Sequence, residues 1–306
     1  MILQTLDEMP LECGETGTVP GHAPSLLPRG RDFRLVWNDE FDGDALDASK
    51  WRYRVNFWGK RAGWFAGPED GAVEVADSVC RLRARKTPDG RYVSPQLQTG
   101  ELMWDIPRLE NPSGFWPLPK REPPTFLHRF GFWECRCRLQ RRPGWWSAFW
   151  TQSPMQGCSL DPVRAGIEHD VMESFEPGMV IPHTMHFGGY GAEHGFFKCP
   201  RKTGPEKVRL ALDPEPFHHF AMLWEEDGYT FYVDGRRRGP KVGTGPGEFV
   251  SRAECFLLIS TELKGFRGKN VVEGPMALEK DASFNALVAD DAFEGDFVRV
   301  YDLQQP

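Results

Sequence analysis

Three acidic residues, Glu168, Asp170 and Glu173, lie within six positions of one another in the segment GIEHDVME, residues 166–173. Successive side chains of a strand point to opposite faces, so Glu168 and Asp170 share a face and Glu173 would point away from it. A β-bulge near Val171 and Met172 would add one residue and return Glu173 to the shared face. The sequence therefore predicts three carboxylates on one strip of a sheet, where mutual repulsion raises the pKa of at least one.

Paired carboxylates of this kind supply what the hydrolysis of a glycosidic bond requires. One carboxylate attacks the anomeric carbon, and a second, in its protonated form, gives its proton to the leaving oxygen. The two groups lie about 5–5.5 Å apart in a retaining enzyme and about 6.5–9.5 Å apart in an inverting one. Two long glutamate side chains on either side of a central aspartate can reach the shorter separation.

The spacing leaves two other interpretations open. Acidic residues that alternate along a strand can simply form a solvated face. The three carboxylates can also bind a divalent metal ion with His183 or His186, although no spacing here matches a known zinc pattern. His169 lies between two carboxylates that share a face, so its ring should point to the opposite side, where packing is its expected role.

Short segments of alternating apolar residues, separated by turn residues, must position these carboxylates. The 32 glycines and 26 prolines among 306 residues suit many strands joined by turns better than a helical bundle. Asp227-Gly228 and Asp234-Gly235 enclose the apolar segment 229–233 as a strand between two hairpin turns. We predict an all-β fold of two packed antiparallel sheets, with residues 1–32 as an N-terminal extension and residues 33–306 as a single domain.

Composition and charge exclude several classes of function. The formal net charge is −7, and no basic stripe is present that could neutralise phosphates, so we expect no nucleic-acid partner. No apolar run approaches the roughly 18 residues of a membrane span, and the first residues do not resemble an export signal. We expect a monomer with no membrane partner.

The seven cysteines do not form a recognisable framework. Their number is odd and their positions are scattered, which favours free thiols over disulfides. Cys135 and Cys137 would share one face of a strand, but a zinc site usually needs four ligands and no second cysteine pair accompanies them. Free cysteines and the lack of a visible export signal contrast with the secreted or periplasmic location that a polysaccharide substrate implies.

The carboxylate segment resembles the E-x-D-x-x-E active-site strand of glycoside hydrolase family 16, in the variant with an extra residue before the last glutamate. Other segments resemble the family's strands in the same order along the chain. These are residues 35–43 (LVWNDEFDG), 130–136 (FGFWECR), 144–150 (GWWSAFW), 186–191 (HFGGYG), 231–235 (FYVDG) and 296–301 (DFVRVY).

The resemblance implies a concanavalin-like β-jelly roll whose concave sheet binds a polysaccharide. It identifies Glu168 as the nucleophile, Glu173 as the general acid and base, and Asp170 as the electrostatic partner between them. It requires no cofactor. The family includes proteins that bind a structural calcium ion through two acidic residues, and Glu40 and Asp296 occupy the matching positions here.

Aromatic residues supply candidates for sugar binding, because rings stack on the apolar faces of sugars. Alternation places Trp146 and Trp150 on one face of their strand, and the resemblance favours the cleft for that face. His186 is expected beside the carboxylates, where its charge can influence Glu173, with an ordinary structural role as the alternative. Trp64 and Trp116 lie in loop-like segments that can extend the cleft, with core packing as the alternative for each.

Together these observations predict a retaining endo-glycoside hydrolase acting on a β-linked polysaccharide, and an endo-β-1,3-glucanase fits them best. A hydrolase of β-galactans of the agar, porphyran or carrageenan type is the alternative within the same class. A non-catalytic carbohydrate-binding protein on the same fold is the alternative outside it, although binding alone gains nothing from three crowded carboxylates. Transglycosylation, which shares the covalent intermediate, also stays open.

Overall fold

Strands provide nearly all the regular structure of the computed structural model. The structure describes residues 1–55, 65–90, 92–103, 122–159, 161–189, 193–201, 207–263 and 291–304, together with the backbone of 104–105 and 116–117. In chain order the strands are β1 (Ile2–Gln4), β2 (Cys13–Thr16), β3 (Ser25–Pro28), β4 (Phe33–Asp39), β5 (Arg52–Tyr53), β6 (Val73–Ala76), β7 (Val79–Leu82), β8 (Arg85–Lys86), β9 (Tyr92–Val93), β10 (Gln96–Gln98), β11 (Trp104–Asp105), β12 (Trp116–Pro117), β13 (Gly131–Arg138), β14 (Trp145–Gln152), β15 (Glu168–Glu176), β16 (Met179–Val180), β17 (His183–Phe187), β18 (Gly195–Cys199), β19 (Val208–Ala211), β20 (His218–Glu225), β21 (Gly228–Val233), β22 (Arg236–Arg237), β23 (Phe256–Leu263) and β24 (Phe293–Leu303).

Local sequence signals account for the short helical elements and for the sharpest hairpin. The helix α1 spans Pro162–Ala165 and begins where the Asp161 carboxylate accepts a hydrogen bond from the Val163 amide. Two 3-10 turns cover Leu6–Glu8 and Pro68–Asp70. Asp234 and Gly235 connect β21 to β22 with φ angles of 48° and 72°, the positive values that a tight hairpin turn requires.

Two large sheets form the body of the fold. The ten-stranded sheet runs β1-β19-β16-β15-β14-β23-β10-β5, and β17 and β18 extend it beside the first half of β15. The eight-stranded sheet runs β22-β21-β20-β13-β24-β7-β6, with β4 paired to β24. Pairing within both sheets is antiparallel except between β1 and β19, where Ile2 lies opposite Val208. Residues 2–4 therefore add a strand to the sheet that carries the three carboxylates.

The main hydrophobic core lies between these two sheets. Phe149, Met172 and Ile259 contribute to it from the ten-stranded sheet, and Trp133 and Trp224 from the eight-stranded one. Because strand side chains alternate, residues adjacent to these point away from the core wherever the strands are regular. We call the side of the ten-stranded sheet that carries Glu168, Asp170 and Glu173, turned away from the core, the outer face. This architecture confirms the predicted all-β sandwich.

All seven cysteines are free thiols, and six of them are buried, as the sequence predicts. Cys135 and Cys137 both lie in the inter-sheet core. None of the helices in the described part of the chain has the length and hydropathy that a membrane span requires.

Candidate active site

A β-bulge in β15 brings the three carboxylates to one face, at the position that the sequence predicts. Asp170 lies opposite Trp150 on β14, whereas the adjacent residue Phe149 lies opposite Met172, so Val171 is the extra residue. Val171 and Met172 both point into the inter-sheet core and are fully buried. The two consecutive inward residues reset the alternation, which leaves Glu173 on the outer face with Glu168 and Asp170.

The three carboxylates are shielded from solvent and held by polar neighbours on the same face. Their exposed fractions are 8% for Glu168, 4% for Asp170 and 7% for Glu173. The Trp146 indole Nε1 donates a hydrogen bond to Glu173 Oε1 at 3.1 Å. The Gln152 amide donates to Glu168 Oε2 at 3.3 Å. Each glutamate therefore receives an oriented donor from β14, the neighbouring strand.

His186 contacts the central carboxylate of the site. Its Nε2 lies 3.2 Å from Asp170 Oδ2, and its Nδ1 lies 2.8 Å from His194 Nε2. Burial, followed by the neighbouring His186, lowers the pKa of His194 below its usual value. The sequence suggested an influence of His186 on Glu173, whereas the structure gives it a direct contact with Asp170. His194, eight residues further along the chain, completes a row of two imidazoles that ends at the carboxylate cluster.

The same residues have the ligand types of a cation site. One oxygen of Glu168, one of Asp170 and one nitrogen of His186 all lie within 4.8 Å of one another. Carboxylate and imidazole ligands suit several divalent metals. The metal interpretation that the spacing left open therefore stays a prediction.

The opposite face of β15 carries His169, which points into the core as predicted. Its ring lies 4.8 Å from the ring of Trp224 and 4.9 Å from that of Tyr229, and Thr151 Oγ1 lies 2.7 Å from its Nδ1. Complete burial lowers the pKa of His169 to about 3, so the imidazole is neutral at ordinary pH. His169 packs the core behind the carboxylates.

The tryptophans predicted for sugar binding have different surroundings. Trp146 lies on the outer face, where its ring stacks on Phe175 at 5.1 Å and its indole reaches Glu173. Trp150 is 7% exposed, donates to Ser260 Oγ at 3.0 Å and packs in a second apolar cluster with Phe65 and Leu258. This cluster covers Trp150, which leaves Trp146 as the more accessible of the two.

Two of the other predicted substrate residues lie where the structure gives no side-chain information. Trp64 lies outside the described residues. Trp116 belongs to β12, which pairs with β11, but only its backbone is described. The roles predicted for both stay predictions.

The two acidic residues suggested for calcium are both engaged by arginines. Glu40 accepts two hydrogen bonds from the buried Arg299, at 2.9 and 2.7 Å. Asp296 accepts one from Arg136 at 2.7 Å. A guanidinium group already supplies the positive charge at each carboxylate, so these residues do not fit a calcium site well. The calcium expectation stays a prediction that the donor set does not favour.

Sequence reasoning missed several residues of the outer face. Gln152 is two residues beyond Trp150 on β14, so alternation alone places it there, yet a glutamine gives no signal of function. Phe196 and Lys198 lie on β18, which continues the outer face beyond His186. Their relation to the carboxylates depends on strand pairing, which one sequence does not reveal.

Comparisons with known proteins find similarity to glycoside hydrolases in the part of the chain that carries the three carboxylates. The family model described as glycosyl hydrolases family 16 matches residues 124–238, which include all three carboxylates. Among curated proteins, glucan endo-1,3-β-glucosidase A1 of Niallia circulans is 27% identical over 216 residues, which cover 66% of this chain. The match spans 28% of the length of that relative.

Solved structures share the fold. A variant of a non-specific endo-β-1,3(4)-glucanase superposes with a TM-score of 0.61 at 22% identity, covering 93% of this chain and 100% of that one. The endo-β-1,3-glucanase of Pyrococcus furiosus gives 0.60 at 19% identity, covering 91% and 97% of the two chains. The laminarinase catalytic domain of Thermotoga maritima gives 0.58 at 22%, covering 90% and 100%. The predicted jelly-roll fold is confirmed.

Proposed function

We propose that the chain is a member of glycosyl hydrolases family 16, whose model matches its segment 124–238, and that it is a retaining endo-hydrolase of β-1,3-glucan. The observation that carries the proposal is the bulge in β15, which aligns Glu168, Asp170 and Glu173 on the outer face. A regular strand would direct Glu173 into the core. The bulge in β15 therefore brings a third carboxylate to the site.

The reaction proceeds in two displacements at the anomeric carbon. Glu168 attacks this carbon and forms a covalent glycosyl-enzyme, while protonated Glu173 gives its proton to the departing glycosidic oxygen. Glu173, now a carboxylate, removes a proton from water, and the resulting hydroxyl displaces Glu168. The second step restores both residues to their starting states, and the product keeps the β configuration.

The neighbours of the three carboxylates suit these roles. The Trp146 indole and the Gln152 amide are neutral donors that orient Glu173 and Glu168. Asp170 lies between the two glutamates in sequence and contacts His186. The low exposure of all three strengthens electrostatic interactions during the reaction.

The choice of β-1,3-glucan rests on the relatives. The curated relative is a glucan endo-1,3-β-glucosidase, and the similar structures include endo-β-1,3-glucanases and a laminarinase. Trp146 supports a sugar-binding outer face, because its large ring lies directly beside Glu173. We take the active unit to be the monomer.

A panel of polysaccharides tests this proposal. The protein is incubated with laminarin, mixed-linkage β-glucan, agarose, porphyran and carrageenan, and released oligosaccharides are separated by chromatography. The proposal expects a ladder of oligosaccharides from laminarin. Release from agarose, porphyran or carrageenan alone would replace the glucan by a galactan. Binding of a polysaccharide without any product would identify a carbohydrate-binding protein.

A further inference from the structure

The outer face continues beyond the carboxylates to an exposed aromatic ring. Glu168 lies opposite His186 on β17, and His186 lies opposite Phe196 on β18. Two strand spacings separate Phe196 from Glu168, a distance of about 10 Å. Phe196 is 56% exposed, and its ring lies 5.7 Å from that of His186. An exposed phenylalanine therefore follows the carboxylate row on the same face of the sheet.

Basic residues line a cavity next to this ring, together with Glu248. Lys198, two positions further along β18, places its ammonium 5.1 Å from the Phe196 ring centre. The cavity has a volume of about 460 Å³, and Lys207 and Arg209 also line it. Arg209 precedes the core residue Leu210 on β19, so alternation directs Arg209 to the outer face. Three cationic residues of β18, β19 and the segment before β19 thus line one cavity.

These three cations are not neutralised by carboxylates of the described residues. Arg201, which also lines the cavity, donates to Glu248 at 2.6 and 2.7 Å, and these bonds lower the pKa of Glu248 to about 2. In the described part of the chain, Lys198, Lys207 and Arg209 have no ion-pair partner of this kind. The chain as a whole carries a net charge of −7, so the positive cluster is a local feature.

We propose that this cavity is an accessory subsite for an anionic substituent, a sulfate or a carboxylate, on the polysaccharide bound at the outer face. Phe196 supplies a surface on which a sugar ring stacks, and the three cations bind the substituent. Ammonium and guanidinium groups form charge-assisted hydrogen bonds with such oxygens, stronger than those to neutral hydroxyls. A volume of about 460 Å³ is that of an ordinary ligand site.

The subsite refines the substrate class. It rests on the proposed function, because it assumes that a glycan bound at the carboxylates extends along the outer face toward Phe196. A chain that carries acidic groups, or a neutral glucan with occasional ones, gains the interaction with the cations. An unsubstituted β-1,3-glucan still stacks on Phe196 and reaches the carboxylates, but it lacks the electrostatic contribution.

Calorimetric titration of three matched oligosaccharides tests the proposal. The ligands are a laminari-oligosaccharide, its sulfated derivative and its carboxymethylated derivative. The double variant Lys198→Gln, Arg209→Gln is compared with Arg29→Gln, Arg31→Gln, which removes the same charge from the N-terminal segment. We expect the first pair to weaken binding of an anionic ligand about tenfold and of the neutral one less than twofold. The control pair leaves all three affinities unchanged.

Salt and a third variant complete the test. Raising the salt concentration from about 20 to about 200 mM should weaken the binding of the anionic ligands only. The added salt shortens the Debye length from roughly 20 Å to well below that value, so it screens the charges of the subsite. Phe196→Ala should weaken all three ligands about tenfold. The derivative that binds more tightly to the unmodified protein identifies sulfate or carboxylate as the preferred group.

Several results would overturn the subsite. Equal affinity of the unmodified protein for all three ligands would do so, as would anionic binding that the Lys198 and Arg209 substitutions leave unchanged. If laminarin is nevertheless cleaved, the proposed function stands and only the subsite fails. If no oligosaccharide binds and none is cleaved, both fail.

Discussion

Two buried acidic sites in this protein show how the donor decides what a carboxylate can do. Glu40 is 5% exposed and accepts two hydrogen bonds from the guanidinium of Arg299, which also contacts Ser25 and the Ala23 carbonyl. Glu173 is 7% exposed and accepts from the neutral indole of Trp146. A bidentate guanidinium gives a carboxylate a charged partner, whereas an indole orients it with a neutral hydrogen bond. Burial is therefore alike at the two sites, and the donors named here differ in charge.

The largest expected effect is on activity at the outer face. Glu168→Gln removes the attacking oxygen, and Glu173→Gln removes the proton donor, while both keep the shape of the side chain. We expect each to lower kcat on laminarin by about 10⁴-fold or more and to change the melting temperature by only a few degrees. Initial rates and thermal unfolding measure the two quantities. Near-normal hydrolysis by either variant would refute the assignment.

The matching substitution in the other site should have the opposite effect. Glu40→Gln leaves Arg299 buried, at 0% side-chain exposure, without its negative partner. We expect unfolding in urea to show a loss of about 3–5 kcal/mol, with kcat per folded molecule unchanged. A Glu40→Gln protein that is as stable as its parent but inactive would contradict this, because it would give Glu40 a role in activity and none in stability.

The core face of β15 adds a third kind of buried titratable group. His169 has a pKa of about 3 in the folded protein and about 6.5 when unfolded, so below pH 6.5 only the unfolded chain binds the proton. Its contribution to stability is complete above pH 6.5 and is lost as the pH falls toward 3. Lowering the pH from 7 to 5 therefore lowers the free energy of unfolding by about 2 kcal/mol through His169 alone.

His169→Gln isolates that linkage from other groups that titrate in the same range. The free energy of unfolding in urea is measured at pH 7 and at pH 5 for both proteins. We expect the stability of the variant to fall less over this interval, by about 2 kcal/mol. An equal fall in both proteins would mean that His169 takes up a proton in the folded state.

We expect the smallest effect from a substitution of Trp146, whose indole donates to Glu173. Trp146→Phe keeps a ring that can stack on Phe175 but removes the hydrogen bond to Glu173. We expect kcat to fall about tenfold, in line with the loss of one hydrogen bond. Trp133→Phe, which removes a bond to the Phe130 carbonyl in the core, is the control and should affect stability alone. Equal kcat values for Trp146→Phe and the parent would show that the hydrogen bond from Trp146 does not contribute to catalysis.

Much of the fold could be predicted because its signals are local. Alternation and Asp-Gly turns locate β21, predicted at residues 229–233 and observed at Gly228–Val233. The bulge at Val171 also follows from local sequence, since two consecutive apolar residues interrupt an acidic alternation. The parallel strand at Ile2–Gln4 could not be predicted, because it pairs with residues about two hundred positions away.

The parts of the site that sequence reasoning missed depend on pairing between distant segments. Glu40 and Arg299 are 259 positions apart, so the sequence shows an acidic residue and not its guanidinium partner. The cavity beside Phe196 brings β18 and β19 together with Glu248, and none of these segments is distinctive alone. Pairing across strands, more than residue type, determines these neighbours.

The central claim is that Glu168 attacks the substrate, and trapping the covalent intermediate tests it most directly. The protein is incubated with a 2-deoxy-2-fluoro laminaribioside that carries an activated leaving group, digested, and mapped by tandem mass spectrometry. We expect one glycosylated peptide, modified at Glu168, and a matching loss of activity. Modification of Glu173 or Asp170 instead, or hydrolysis of laminarin with inversion at the anomeric carbon, would contradict it.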